Sequence, residues 1–342
     1  MIELTDTERD MLNRWQRDFP LTARPFARLG EVLGMDEQQV LAALRRLDAA
    51  GVLSRLGAVV RPNTAGASTL AAVSAPRERI EEAARIISAQ PEVTHNYQRE
   101  HEMNLWFVVT AEDRGAVRAV LARIERLCGL DVLDLPMERA WHIDLGFELK
   151  NPAAGARPCR PRPRGAAPEP KAARLGDFDR ALLAAIEDGL PLTPAPYDAV
   201  ARRLGTAPRK VMARLGALIE AGVIRRFGFV VHHRALGIAA NAMVVWDFDD
   251  ALVANAAAEI ARMDCVTLCY QRPRRPPRWR YNLFCMIHGT SREVVRAQIA
   301  QIEARLKKTL GVDEIVREAL FPVRRFKQCG ARFSATARAG AA

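Results

Sequence analysis

The sequence predicts an α+β protein made as a tandem repeat, each half carrying a winged helix-turn-helix unit and then a ferredoxin-like βαββαβ unit. Three observations predict it. First, "DFPLTARPFARLGEVLG" from Asp18 returns as "GLPLTPAPYDAVARRLG" from Gly189 at a constant shift of 171, pairing Pro20 with Pro191, Pro25 with Pro196 and Gly34 with Gly205. The match continues without a gap through "LDAAGVLSRLGAVV" and "LIEAGVIRRFGFVV", and such self-similarity marks a duplicated structural unit. Second, each half opens with three helical apolar patterns and then a β-branched run. Third, the remainder alternates strand and helix patterns in the order βαββαβ, which lays two helices on one face of a four-stranded sheet.

Taken in order, Leu12, Trp15 and Phe19 mark a first amphipathic helix. Phe26, Leu29 and Leu33 mark a second closed by Gly34, and Val40, Leu44 and Leu47 a third closed by Gly51. "GVLSRLGAVV" begins the strand pair of the wing. Then follow "STLAAVSA", "RERIEEAARIISAQ", "EVTHNYQRE", "NLWFVVTA", "DRGAVRAVLARIERL" and "DVLDLPMER", the strands short and β-branched, the helices longer with a 3.6 period. The expected boundaries are a winged unit over 1–62, a βαββαβ unit over 63–149, a linker over 150–174, a second winged unit over 175–233, a second βαββαβ unit over 234–330 and a tail over 331–342. The open sheet face in each half is left for a partner domain or a ligand.

At 342 residues the chain exceeds the size of one ordinary core. It has no run of 18 apolar residues and opens on the charged "MIELTDTERDMLNRW", so a cytoplasmic protein with no membrane partner is expected. Its six cysteines show no C-x-x-C pair and no zinc spacing, and suit reduced thiols. Cys265 and Cys269 would face one side of a helix, but "CVTLCYQR" reads as strand and favours buried thiols over a metal pair. The net charge of +11 suggests nucleic acid, yet residues 150–174 alone carry seven Lys and Arg against one Glu. Pro, Ala and Gly fill the rest of that segment, which reads as a solvated linker. Arg324, Arg325, Lys327 and Arg332 place further charge in what reads as the tail.

The informative stretch is "THNYQREHEMN", residues 94–104. On a strand, His95, Tyr97, Arg99 and His101 share one face while Thr94, Asn96 and Gln98 take the other. In the second half, at a shift of 173, Thr94, Tyr97 and Arg99 become Thr267, Tyr270 and Arg272, whereas His95 becomes Leu268. The insertion "PRRPPRWR" then adds Arg274, Arg275, Arg278, Trp279 and Arg280 before "YNLFC", whose Asn282 answers Asn104 in "MNLWF". Aromatic faces beside guanidinium groups call for a large, flat, polyanionic ligand. His142 in "RAWHIDLGF" and His288 in "CMIHG" read as structural, and His232–His233 as surface.

A winged helix joined to βαββαβ resembles the Lrp/AsnC family of transcription regulators over both halves. DNA binding is not expected, because the reading helix of the first half opens on Asp36 and Glu37, which repel phosphates. The second half offers Arg209, Lys210 and Arg214 on its counterpart, but one reader joined to one poor reader does not match a palindrome. "THNYQREHEMNLWF" and "CYQRPRRPPRWRYNLFCMIHG", each on such a half, are more specifically similar to the siroheme decarboxylases of heme d1 biosynthesis, in their fused form.

The resemblance implies removal of CO2 from two acetate side chains of siroheme, at ring carbons 12 and 18, giving 12,18-didecarboxysiroheme. Siroheme is then the substrate, no cofactor is required, and the two halves act as a pseudo-heterodimer, with further assembly left open. Arg99, Arg272, Arg274 and Arg275 are the candidate carboxylate clamps. Trp106, Trp279 and Tyr281 are candidate wall residues, and Tyr97, Asn104 and Tyr270 further substrate contacts. His95 and His101 are the candidates for proton donor and substrate-positioning group, in an order the sequence does not fix. Either could instead ligate the siroheme iron; no metal site built by protein alone is expected. A DNA-binding regulator sensing a small ligand and a non-catalytic tetrapyrrole carrier are the alternative functions.

Overall fold

The computed structural model describes residues 4–61, 64, 66–143, 175–232 and 240–329. The expected linker at 150–174 and tail at 331–342, together with Arg332 and His233, lie outside the described residues. The first half opens with α1 (Asp6–Arg14), α2 (Pro25–Leu33), α3 (Glu37–Ala49) and β1 (Leu53–Val60). It continues with β2 (Ala67–Val73), α4 (Ile80–Ala89), β3 (Val93–Arg99), β4 (Leu105–Ala111), α5 (Arg114–Cys128), β5 (Leu133–Pro136) and β6 (Arg139–Ile143). The second half repeats this as α6 (Asp177–Ala185), α7 (Pro196–Arg203), α8 (Pro208–Glu220), β7 (Ile224–Val231), β8 (Ala240–Asp247), α9 (Val253–Arg262), β9 (Val266–Gln271), β10 (Leu283–Gly289), α10 (Arg292–Leu310), β11 (Val316–Leu320) and β12 (Pro322–Gln328).

Local chemistry explains the helix ends. Thr5 and Glu8 form a reciprocal capping box at α1, and the Asp113 and Ser291 side chains accept the N–H groups of Ala116 and Val294 to start α5 and α10. The first helix is shorter than the apolar spacing suggested. It stops at Arg14, and the segment after it runs as an extra edge beside β7, with Phe229 N–H donating to Trp15 O (2.7 Å) and Phe19 N–H to Phe227 O (3.1 Å).

The wing is built differently from the expected pair within each half. β1 pairs antiparallel with β7, one strand from each half, with Gly57 opposite Gly228. Phe26, Leu44 and Leu56 therefore share one apolar core with Leu182, Tyr197 and Phe229. Gly228 is required by close approach: a Cβ there would sit 2.2 Å from Trp15 O and 2.7 Å from the Gln16 carbonyl carbon, both backbone. At Gly57 the nearest atom would be at an ordinary 3.4 Å. Gly228→Ala is expected to destabilise the fold by about 3 kcal/mol, and Gly57→Ala by far less; urea unfolding of the two variants checks the difference.

The two βαββαβ units also exchange strands. The first sheet runs β12-β3-β4-β2-β5 and the second β11-β8-β10-β9-β6, so each half gives its last strand to the edge of the other's sheet. Arg324, Arg325 and Lys327 thus belong to β12, paired with β3, and are not part of a tail. Helices α4 and α5 cover one face of the first sheet, α9 and α10 one face of the second. The two remaining faces meet each other. Between them lies a layer of Leu70, Trp106, Leu135, Met243, Tyr270, Trp279, Phe284 and Leu320, so the faces expected to be open form the seam between halves. Among the described residues no helix is long and apolar enough to cross a membrane.

Candidate functional site

β3 carries the stripe. A register shift between Val93 and His95 sets His95 opposite Val108 and Tyr97 opposite Trp106 on β4, both of which belong to the seam. Asn96 turns the other way, donating to Ala84 O and Ser88 Oγ on α4. His95 stacks on Tyr97 (6.4 Å between centroids, 22°), and the Arg99 guanidinium lies 5.7 Å from the Tyr97 ring centre. Tyr97 donates its hydroxyl to Gln328 on the exchanged strand β12 (2.9 Å).

Two guanidinium groups are buried at this seam in a pseudo-twofold arrangement. Arg99 donates through Nη1 to Leu320 O of the other half (2.8 Å), and Arg272 likewise to Leu135 O. Each is 8% exposed, and each keeps a buried Nε–H with no acceptor. Among the described residues no carboxylate stands within ion-pair distance of either. Burial pulls Arg99 down to about 10 and Arg272 in the same direction, with nearby tyrosines opposing the shift in both and Asp134 also opposing it at Arg272. Guanidinium groups are costly to bury without a counter-ion, and an anionic ligand offsets that cost. Trp279, 2% exposed with an unpartnered Nε1–H, adds a third orphaned donor.

The two histidines differ. His95 engages Thr94 Oγ1 through Nδ1 (3.0 Å), and burial lowers its pKa to about 4, so it is neutral at pH 7. The unfolded chain protonates near 6.5 and the folded one near 4, so the stability this ring contributes is complete above about pH 6.5 and is lost as pH falls through 4. The expected loss is ~3 kcal/mol between pH 7 and pH 4, read from denaturant midpoints and reduced in His95→Gln. His101 lies beyond the strand end. Its Nδ1 accepts the Met103 N–H (2.8 Å), its Nε2 meets Glu318 Oε2 (2.9 Å), and Trp279 packs edge-on against it at 5.5 Å. Glu318 escaped the sequence reading: it sits in an unremarkable strand pattern, "VREAL", over two hundred residues downstream, and only the packing of the halves brings it to His101.

Several candidate ligand contacts also have partners within the fold. The Asn104 amide accepts the Ala75 N–H (3.0 Å) and donates to Ala75 O (2.7 Å), as Asn282 does with Phe248. Arg274 is tied to Asp247 (2.8 Å) and Asp250 (2.6 Å), and Arg275 is exposed with its guanidinium on Arg274 O (3.1 Å). Trp106, Trp279, Tyr270 and Tyr281 are all buried in the seam, Trp106 donating to Met103 O (2.7 Å) and the Trp106 and Trp279 rings 5.1 Å apart. The physical reason is that the two sheet faces cover each other, so a wall expected for a ligand is also a wall for the other half.

The remaining candidates are structural. His288 is held by Thr267 Oγ1 (3.1 Å), and His142 sits in β6 opposite Cys269. Cys269 is a buried free thiol on β9, as are Cys128 and Cys285 in their cores, whereas Cys265 is disulfide-bonded, against the expectation of six reduced thiols. No spacing motif signals that bond. Among the described residues no group of three or more His, Cys, Asp or Glu is gathered to hold a metal. On the helix-turn-helix units, Asp36 caps α3 through the Gln39 N–H (2.8 Å) and Glu37 is paired with Arg24. In the second half Arg214 is paired with Asp179 (2.7 Å), and Lys210 lies 4.5 Å over the Phe178 ring.

Fold and site together define a tandem Lrp/AsnC-like protein whose two halves meet at an apolar seam that buries the guanidinium groups of Arg99 and Arg272. An AsnC-like ligand binding domain model matches residues 65–142 and 235–327, and a siroheme decarboxylase NirDL-like HTH domain model matches 8–53 and 179–225. The chain belongs to the siroheme decarboxylase NirDL family. It is 42% identical to the siroheme decarboxylase NirDL subunit of Paracoccus denitrificans over 98% of this chain and 99% of that one. A single-half relative, the siroheme decarboxylase NirD subunit of Pseudomonas aeruginosa, is 52% identical over 43% of this chain and 98% of that one. A crystal structure of the siroheme decarboxylase NirDL in complex with an iron-uroporphyrin III analogue superposes with a TM-score of 0.69 at 25% identity, covering 96% of this chain and 95% of that one.

Proposed function

We propose that the chain decarboxylates siroheme in heme d1 biosynthesis, removing CO2 from the acetates on ring carbons 12 and 18 to give 12,18-didecarboxysiroheme. The observation that carries this reading is the pair of buried guanidinium groups without carboxylate partners, Arg99 and Arg272, beside the only two imidazoles of the stripe. Siroheme bears eight carboxylates, so it supplies the counter-charge, and the orphaned Nε–H groups supply donors for it.

In each step the bond between the acetate methylene and its carboxylate breaks and CO2 leaves. The electron pair stays on the methylene carbon and is delocalised into the macrocycle, and one proton then forms the C–H bond of the new methyl group. Each CO2 released consumes one proton. His95 is assigned the delivery, because its ring commits only Nδ1. An entering carboxylate raises the proton affinity of a desolvated imidazole, so binding the substrate charges the acid that the next step uses. His101, whose Nδ1 already accepts a backbone N–H, has only Nε2–H to offer and is assigned to hold a carboxylate. In the second half Leu268 stands where His95 stands in the first, so the chemistry belongs to the first half while the second completes the pocket.

The carboxylates Asp36 and Glu37 at the start of one reading helix and the pairing of Arg214 with Asp179 on the other argue against DNA as a partner, and four of the five described cysteines are free thiols, in keeping with a cytoplasmic location. Anaerobic incubation with siroheme, followed by product mass, tests the reading. Two successive losses of CO2 are expected; tight binding without mass change would turn the assignment to a carrier.

A further inference from the structure

Glu318 joins the two halves at one point. Its Oε2 accepts from His101 Nε2–H in the first half (2.9 Å), and its Oε1 accepts from the Tyr281 hydroxyl in the second (2.6 Å). Two donors fixed on different halves thus converge on the two oxygens of one carboxylate. Both donors are held independently of it. The Met103 N–H occupies His101 Nδ1 (2.8 Å) and so leaves the ring proton on Nε2, while Tyr281 packs against Trp279 at 4.9 Å. Burial and the neighbouring Glu318 push the Tyr281 hydroxyl upward, which keeps it protonated and donating. The carboxylate itself is the loose member: the Glu318 side chain is 45% exposed, against 14% for His101. The related position on the pseudo-twofold, found from the matched carbonyls of Leu135 and Leu320, is Leu133, so the arrangement occurs once.

We propose that the His101 Nε2–H and the Tyr281 O–H form a carboxylate subsite, which Glu318 fills as an internal stand-in until a carboxylate of the ligand displaces it. A substrate carboxylate then takes the same two hydrogen bonds, and Glu318 turns to solvent. The stand-in satisfies two donors that would otherwise be left unpaired. It also excludes ligands that cannot present a carboxylate at this point, because such ligands would have to expel Glu318 without replacing its hydrogen bonds. This deepens the decarboxylase reading and rests on it for the identity of the carboxylate's owner.

The sign of the effect separates this role from a supporting one. Removing an internal competitor strengthens ligand binding, whereas removing a support weakens it. Titration of iron-uroporphyrin, followed by its absorbance, is expected to give a Kd lowered threefold to tenfold in Glu318→Ala and raised by a similar factor in Tyr281→Phe. Glu318→Asp keeps the charge but is too short to span both donors, so it is expected to bind more tightly than the parent as well. A gain confined to Glu318→Ala would trace to general charge removal and would overturn the proposal, as would a Kd unchanged or raised in both Glu318 variants. Acetate titrated into isotope-labelled Glu318→Ala gives a readout independent of tetrapyrrole: the His101 ring nitrogens are expected to return to their parental shifts, and their failure to do so also counts against the subsite. A parent that binds iron-uroporphyrin but releases no CO2 from siroheme would sink the decarboxylase reading and leave the subsite standing.

Discussion

Replacing His95 with alanine is expected to lower the decarboxylation rate by about 10²–10⁴-fold, the usual worth of a positioned general acid, while iron-uroporphyrin still binds. The ring reaches the seam on the same strand as Arg99, and its position in the second half is taken by Leu268, so the second half has no counterpart to replace it. In the ligand-free protein its pKa lies at about 4, and it reaches the reaction charged only if binding brings a proton. Calorimetry of iron-uroporphyrin binding at pH 7, repeated in buffers of different ionisation enthalpy, should therefore show proton uptake that falls by as much as one proton in His95→Ala. A variant with the parental single-turnover rate, or with unchanged uptake, would move the assignment to another group.

Replacing Arg99 or Arg272 with methionine is expected to act in opposite directions in two assays. Binding of iron-uroporphyrin should weaken by about 30-fold to 5,000-fold, since truncating one partner of a buried charge pair costs roughly 2–5 kcal/mol. The stability of the ligand-free protein should hold or rise, because the replaced group is a buried cation in no ion pair, with Asp134 acting on Arg272 only from a distance. Each arginine also donates to a carbonyl of the opposite half, Leu320 or Leu135, and losing that bond sets the limit on any gain. Ligand affinity and thermal midpoint measured on the same preparations check the prediction. A large drop in the midpoint would make the arginines struts of the seam and not clamps.

Much of this protein was legible in its sequence because the relevant signals are local. The helix units follow from apolar spacing closed by Gly34 and Gly51, and the shift of 171 exposes the duplication. The alternation in "THNYQRE" placed His95, Tyr97 and Arg99 on one face, and the structure puts them there for that reason: consecutive residues of a strand point to opposite sides. The second-half motif found Arg272 in the same way. Asn104 is a candidate ligand contact that recurs as Asn282, and in both halves the amide also closes on the backbone just past the neighbouring strand, one turn built twice.

What the sequence by itself determined is the repertoire: which segments become helix or strand, which side of each strand is polar, and which chemistry is present. What only the tertiary structure decided is the pairing between halves. β1 could have met its own wing and β6 its own sheet, since edge strands present the same row of N–H and C=O groups to any partner. The choice is settled by the fit of whole surfaces, such as the close approach of Trp15 to Gly228 and the apolar seam of Trp106 and Trp279. That same choice brings Glu318 to His101 and Leu320 to Arg99. Periodicity reports the environment of a residue along its own element, but contacts across more than two hundred residues depend on how many weak interactions close at once, and no short stretch of sequence contains that sum.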